Sequence, residues 1–165
     1  MTMQTTVMTV TGPVSANELG VVLPHEHVFT NTMREYRGNG LLHDVGLAVE
    51  ELKDFAAQGG RTLVELTTSE VGRSPERLAE VSRASGVLMV MGCGHYREPY
   101  LDLDHFRATS ADGLAEEMIC EVEEGVGSTG VRPGIIGEIG NNDDAISPPR
   151  RNPPGPLPAP TWPLG

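Results

Sequence analysis

Apolar residues along this chain follow two patterns that alternate, short continuous runs and sets at helical spacing. Continuous runs of this kind are typical of strands, and apolar positions three or four apart are typical of amphipathic helices. The predicted strands are residues 20–23, 61–67, 87–91 and 133–139. The predicted helices are residues 44–58, 74–86 and 111–124. Before them, residues 7–22 predict a short hairpin that turns at Gly12-Pro13 and leads into a first, buried strand.

This alternation of strands and helices predicts an α/β fold, either a barrel or a doubly wound sheet. The barrel is favoured because no Gly-x-Gly-x-x-Gly loop follows the first strand and because candidate polar residues gather at the strand ends. A complete barrel needs about 250 residues, and this chain has 165. We therefore predict the N-terminal half of a (β/α)8 TIM-type barrel, about four βα units preceded by a short β-hairpin.

The last eighteen residues differ in composition from the rest. Segment 148–165 holds eight of the thirteen prolines, and repeated prolines remove backbone donors and clash with a preceding helical turn. The sequence thus predicts two parts, a partial hydrolase barrel over 1–147 and a disordered or polyproline-like tail over 148–165. The tail is interpreted as a truncated or frame-altered end, and a proline-rich segment that recruits a partner is the alternative.

Charge and composition exclude several classes of function. The formal net charge of −11 disfavours nucleic acid and anionic membranes as partners, because both require a basic surface. The chain has no apolar run near the roughly 18 residues of a membrane span, and residues 1–7 do not resemble a signal peptide. A cytoplasmic protein is expected. Cys93 and Cys120 are too few for a disulfide framework.

The segment Leu23-Pro24-His25-Glu26-His27 carries the first candidate chemistry. Side chains of a strand alternate between its faces, so His25 and His27 are expected on one face and Glu26 on the other. Two imidazoles side by side at a strand end suit a divalent ion such as zinc, manganese or cobalt. From this pattern alone, a pair of solvated histidines is an equal alternative.

Four motifs together resemble the phosphotriesterase-related branch of the amidohydrolase superfamily. They are Gly20-Val21-Val22-Leu23-Pro24-His25-Glu26-His27-Val28-Phe29, Gly59-Gly60-Arg61-Thr62-Leu63-Val64-Glu65-Leu66-Thr67, Gly92-Cys93-Gly94-His95-Tyr96 and Gly134-Ile135-Ile136-Gly137-Glu138-Ile139-Gly140. The resemblance implies a distorted (β/α)8 barrel with two divalent metal ions. It also implies a hydrolase that acts on phosphotriesters, lactones or related small-molecule esters by water activated between those ions.

Metal ligands are likewise implied by the resemblance. It implies that His25 and His27 bind the more buried ion and that the fourth strand supplies the ligand bridging both ions, a carboxylated lysine in some members and a glutamate in others. The only lysine, Lys53, lies in a predicted helix, so Glu138 is the expected bridge and zinc the expected metal. In the family, the second-metal histidines and the aspartate that transfers the proton follow later strands, so the catalytic acid or base is expected beyond this chain.

The remaining candidates have competing structural interpretations. His95 and Tyr96 follow the third predicted strand and are expected to line a substrate pocket, with a structural histidine as the alternative. Glu65 is expected to be a buried carboxylate bonded to neighbouring loop backbone. His43 and His105 are expected to be solvated, His105 in a loop.

Two functional hypotheses follow from the sequence. The first is a metal-dependent hydrolase of the phosphotriesterase-related type, of which this chain alone is inactive. The second is a half-barrel without catalysis, or a module for interaction with other proteins. The edges of an open half-barrel would favour a homodimer or aggregation.

Overall fold

A computed structural model of the protein describes residues 5–141, in which strands and helices alternate as predicted. The proline-rich segment 148–165 and the predicted boundary at residue 147 lie outside the described residues. No helix in the described part is long and apolar enough to cross a membrane.

Four of the eight described strands form one parallel sheet. Within residues 5–141 the strands are β1 (Thr6–Thr9), β2 (Gly12–Ser15), β3 (Val21–Glu26), β4 (Thr30–Asn31), β5 (Leu41–Leu42), β6 (Gly60–Glu65), β7 (Leu88–His95) and β8 (Ile135–Ile139). The parallel sheet has the order β3-β6-β7-β8, and the pairs β1-β2 and β4-β5 are antiparallel. The sheet curls as half of a barrel, which confirms the predicted fold class.

Three of the helices match the sequence prediction closely. The helices of the described chain are α1 (Met33–Tyr36), α2 (Val45–Ala57), α3 (Pro75–Ser85), α4 (Leu103–Ala108) and α5 (Ala111–Glu124). Asp44 caps α2, because its carboxylate accepts a hydrogen bond from the Leu47 N–H at 2.9 Å. Gly86 ends α3 in the left-handed conformation, with φ of 76°.

The hydrophobic core lies between the sheet and helices α2 and α3. Strand β7 is buried over most of its length, as its continuous apolar run predicts. Leu78 and Val81 of α3 and Met89 of β7 are fully buried together. This packing buries β6 and β7 in the middle of the sheet, and the candidate site lies on the strands to either side of them, β3 and β8.

Two predictions about the first strands are wrong. The hairpin turns at Val10 and Thr11, not at Gly12-Pro13, because Val10 is buried in the core and donates its N–H to the Met89 carbonyl at 2.9 Å. Strand β3 is not buried. Among the described strands it pairs with β6 alone, so it forms an edge on which Val21 is 61% exposed.

The expected loop around His105 is also wrong, because residues Leu103–Ala108 form α4. Asp102 caps this short helix and accepts hydrogen bonds from the backbone N–H groups of Asp104 and His105, each at 3.1 Å. A helix of six residues is too short to produce a recognisable apolar period. The sequence feature that could have indicated this helix is Asp102, an aspartate at the capping position.

Candidate metal centre

His25, His27 and Glu138 converge from the two edges of the parallel sheet. His25 lies on β3, His27 directly follows it, and Glu138 lies on β8. The curl of the sheet brings Glu138 Oε2 to 4.0 Å from His25 Nε2 and 3.9 Å from His27 Nε2. The two imidazole rings lie side by side with their centroids 5.3 Å apart, as the alternation along β3 predicts.

The chemistry of these three side chains fits a divalent metal ion. One ligand atom from each lies within 4.8 Å of the others, and two imidazoles with one carboxylate form a common zinc donor set. Glu138 Oε2 is buried and accepts no hydrogen bond from any described residue. A buried carboxylate oxygen without a donor is costly unless a cation compensates it, and a metal ion bound here would compensate Glu138 Oε2.

The protonation state of His27 also suits metal binding. Burial lowers the pKa of His27 and outweighs the nearby Glu138 carboxylate, which acts to raise it; the adjacent His25 ring lowers it further. The imidazole is therefore neutral near pH 7. Only the neutral ring has a nitrogen lone pair to offer to a metal.

Behind His27 lies a hydrogen-bonded pair, Thr67 and Glu65, of which the sequence analysis did not identify Thr67. Thr67 Oγ1 is 2.9 Å from His27 Nδ1 and donates to Glu65 Oε1 at 2.6 Å. Glu65 Oε1 also accepts from the Val28 N–H at 3.2 Å, so Glu65 is a buried carboxylate bonded to loop backbone, as predicted. The sequence feature that could have pointed to Thr67 is its position two residues after Glu65.

Glu65 is fully buried, and burial raises its pKa to about 7, although hydrogen bonds from Thr67 and Val28 act to lower it. A carboxyl group with this pKa changes its charge near neutral pH. Its ionisation state therefore bears on the stability of the strand that supports the site.

His95 lies on the neighbouring strand and belongs to a second polar group. Its Nδ1 is 2.7 Å from Glu70 Oε1. Burial acts to raise the pKa of Glu70, but hydrogen bonds from His95 and Thr68 outweigh it and lower the pKa to about 2. His95 lines a cavity of about 350 Å³ together with Glu70, Arg73 and Phe106.

Tyr96 faces a different environment from His95. Its ring packs against Tyr100 with centroids 5.1 Å apart, and the Arg97 guanidinium lies 5.6 Å from the Tyr96 centroid. The strand pairing places His95 opposite Ile139, next to Glu138 in sequence. His95 thus lies across the sheet from the residue that follows Glu138. Contact of His95 and Tyr96 with a substrate stays a prediction.

The other histidines lie outside the metal cluster. His43 is exposed. His105 projects from α4 and its Nε2 is 3.1 Å from Glu117 Oε2, with the imidazole 43% exposed.

Residues 5–152 match the family model described as the phosphotriesterase family. The chain belongs to the phosphotriesterase family. The match covers most of the chain and includes the four motifs on which the resemblance was based, among them the segments that hold His25, His27 and Glu138.

The chain is similar in sequence to two named proteins. The chain is 29% identical over 136 residues to the phosphotriesterase homology protein of Escherichia coli, covering 81% of this chain and 46% of that protein. It is 32% identical over 168 aligned positions to the N-acetyltaurine hydrolase of Mus musculus, covering 81% and 47%.

The fold of this chain is also similar to that of solved structures. A resiniferatoxin-binding protein from Rhodobacter sphaeroides superposes with a TM-score of 0.79 at 31% identity, covering 88% of this chain and 49% of that one. The organophosphorus hydrolase from Deinococcus radiodurans gives 0.74 at 34% identity, covering 91% and 48%. The chain therefore spans about half the length of these relatives.

Proposed function

We propose that the chain carries part of the metal centre of a phosphotriesterase-family hydrolase, with His25, His27 and Glu138 as ligands of a divalent ion. The observation that carries this proposal is the convergence of the three side chains around Glu138 Oε2, a buried oxygen without a donor among the described residues. Zinc is the proposed metal, because it accepts imidazole nitrogen and carboxylate oxygen together.

Each residue has a distinct part in this proposal. A divalent ion bound here supplies Lewis acidity toward a carbonyl or phosphoryl oxygen and lowers the pKa of water. His25 and His27 would offer ring nitrogens to the ion from the end of β3. Glu138 adds a negative charge that compensates the ion. His95 and Tyr96, at the end of β7, are proposed to line the substrate pocket.

The proposed substrates are small molecules with a hydrolysable ester bond, such as a phosphotriester or a lactone. The organophosphorus hydrolase of Deinococcus radiodurans supports the ester class by its name. Relatives named N-acetyltaurine hydrolase favour an amide as the second candidate. Both reactions add water to a polarised acyl or phosphoryl centre, so the same ligands serve either one.

The metal site is tested by zinc binding. His27→Ala removes one of three ligands and is expected to weaken zinc binding by about 100-fold, since even residues that only support metal ligands change affinity 10- to 100-fold. Zinc affinity is measured by competition with a chelating dye. Metal content after purification is measured by elemental analysis.

His43→Ala is the matched control, because it removes an exposed imidazole outside the cluster and is expected to leave zinc affinity unchanged. Equal zinc affinity in wild type, His27→Ala and His43→Ala would show that the three residues do not form a metal site.

Catalysis by the 165-residue chain alone is expected to be very low, even with added zinc. Among the described residues, one cluster of three side chains could hold a metal ion, whereas the family mechanism implied by the resemblance uses two ions and a proton-transferring aspartate. Hydrolysis of a phosphotriester, a lactone and an N-acyl amide is measured with and without zinc.

A preparation of verified mass that shows zinc-dependent turnover, lost in Glu138→Ala, would contradict this expectation. It would indicate that two copies of the chain complete one site. No turnover together with tight zinc binding would instead support a metal-binding half-barrel without catalysis.

A further inference from the structure

The hydrogen bonds around Thr67 fix the direction of a single proton. The Thr67 hydroxyl has one hydrogen. Above pH 7, the approximate pKa of Glu65, the Glu65 carboxylate can only accept, so this hydrogen is directed to Glu65 Oε1 over 2.6 Å. The same hydroxyl oxygen lies 2.9 Å from His27 Nδ1. Because the hydroxyl has already used its hydrogen, it can only accept from His27, so His27 Nδ1 must carry the ring proton.

This assignment determines which nitrogen of His27 is free. A neutral imidazole has one N–H and one lone pair, so a proton on Nδ1 leaves the lone pair on Nε2. Nε2 is the atom that lies 3.9 Å from Glu138 Oε2, within the cluster of potential ligands. The other tautomer would direct an N–H into the cluster and would exclude a metal from that nitrogen.

We infer that Thr67, held by Glu65, is the positioning residue that locks His27 in its metal-binding tautomer. Glu65 is fully buried and is itself held by the Val28 N–H, in the loop that follows His27. The donor chain from His27 through Thr67 to Glu65 therefore connects β3 to β6 and orients the ring before any metal arrives. Partners of this kind behind a metal ligand raise affinity by fixing the orientation of the ring.

The consequence for metal binding rests on the proposed function, but the tautomer itself does not. It can be observed in the metal-free 165-residue chain by long-range ¹⁵N–¹H NMR of the His27 ring at about pH 8, where the ring is neutral. We expect the Nδ1–H tautomer in the wild type. In Thr67→Val, which keeps the shape and removes the hydroxyl, we expect loss of this preference and about tenfold weaker zinc binding.

Two further variants separate positioning from general destabilisation. Thr67→Ser retains the hydroxyl and is expected to restore both the Nδ1–H tautomer and the zinc affinity. Thr62→Val removes the hydroxyl of a different fully buried threonine, on β6, which donates to the Leu19 carbonyl at 2.6 Å. It is expected to change neither the tautomer nor the zinc affinity. If Thr67→Val does not fold, Thr67→Ala takes its place.

An Nε2–H tautomer in the wild type, or an unchanged tautomer in Thr67→Val or Thr67→Ala, would overturn the inference. These results are distinct from failure of the proposed function. A wild type that shows the Nδ1–H tautomer but binds no zinc would refute the metal site and leave the role of Thr67 intact. Tight zinc binding with a His27 tautomer that is independent of Thr67 would support the metal site and refute the role of Thr67.

Discussion

Gly92→Ala is expected to destabilise the fold by about 3 kcal/mol or more, at the upper end of the cost of overpacking, and to weaken zinc binding. Gly92 lies in β7 and pairs with Ile135 of β8. A Cβ at this position would overlap the carbonyl oxygen of Gly137 and would approach Leu66 Cδ2 to 2.9 Å. The Gly137 oxygen belongs to the backbone and cannot rotate away, so β8 must move and carry Glu138 from its position beside the histidines.

Urea unfolding measures the loss of stability, and a zinc titration of the folded fraction measures the effect on the site. Gly38→Ala is the matched control, because a Cβ there meets no heavy atom within 4 Å, and it is expected to be close to neutral. Unchanged stability and zinc affinity in Gly92→Ala would show that the approach of β7 to β8 does not constrain Glu138.

The stability of the protein is expected to fall as the pH rises toward 7, in part because of Glu65. Its pKa in the folded chain is about 7, against an ordinary value of 4.5 for a glutamate side chain. Between these values the folded state holds a proton that the unfolded state has released, so stability decreases as pH rises through this window and levels off above it. At 1.36 kcal/mol per pKa unit, the loss is on the order of 3 kcal/mol.

Glu65→Gln isolates this contribution, because the amide is neutral at every pH and retains an oxygen that can accept from Thr67. We expect the variant to gain stability relative to wild type by on the order of 3 kcal/mol between about pH 5 and pH 8, measured by urea unfolding. Other groups titrate equally in both proteins. They include Glu70, whose lowered pKa acts at more acidic pH and in the opposite direction. Parallel stability curves for the two proteins would refute the assignment.

Much of the fold is encoded by local patterns that need no tertiary information. Helices α2, α3 and α5 match their predicted ranges because each has an apolar face at helical spacing and clear signals at its ends, such as Asp44 and Gly86. The buried strand β7 follows from its continuous apolar run. Short elements such as α4 lie below the length at which a period can be detected, and they were missed for that reason.

For the candidate site, the sequence alone determined that His25 and His27 share a face, because side chains alternate along a strand regardless of what surrounds it. The family resemblance implied Glu138 as a further ligand, but only the tertiary structure decided that it meets the two histidines. This requires the curl of a sheet whose two edge strands, β3 and β8, are far apart in the chain. The same holds for Thr67 and Glu65, whose importance depends on burial and on a contact with His27 from another strand. Local sequence dictates dihedral angles and faces, whereas proton positions, burial and the distances between ligands depend on packing between strands.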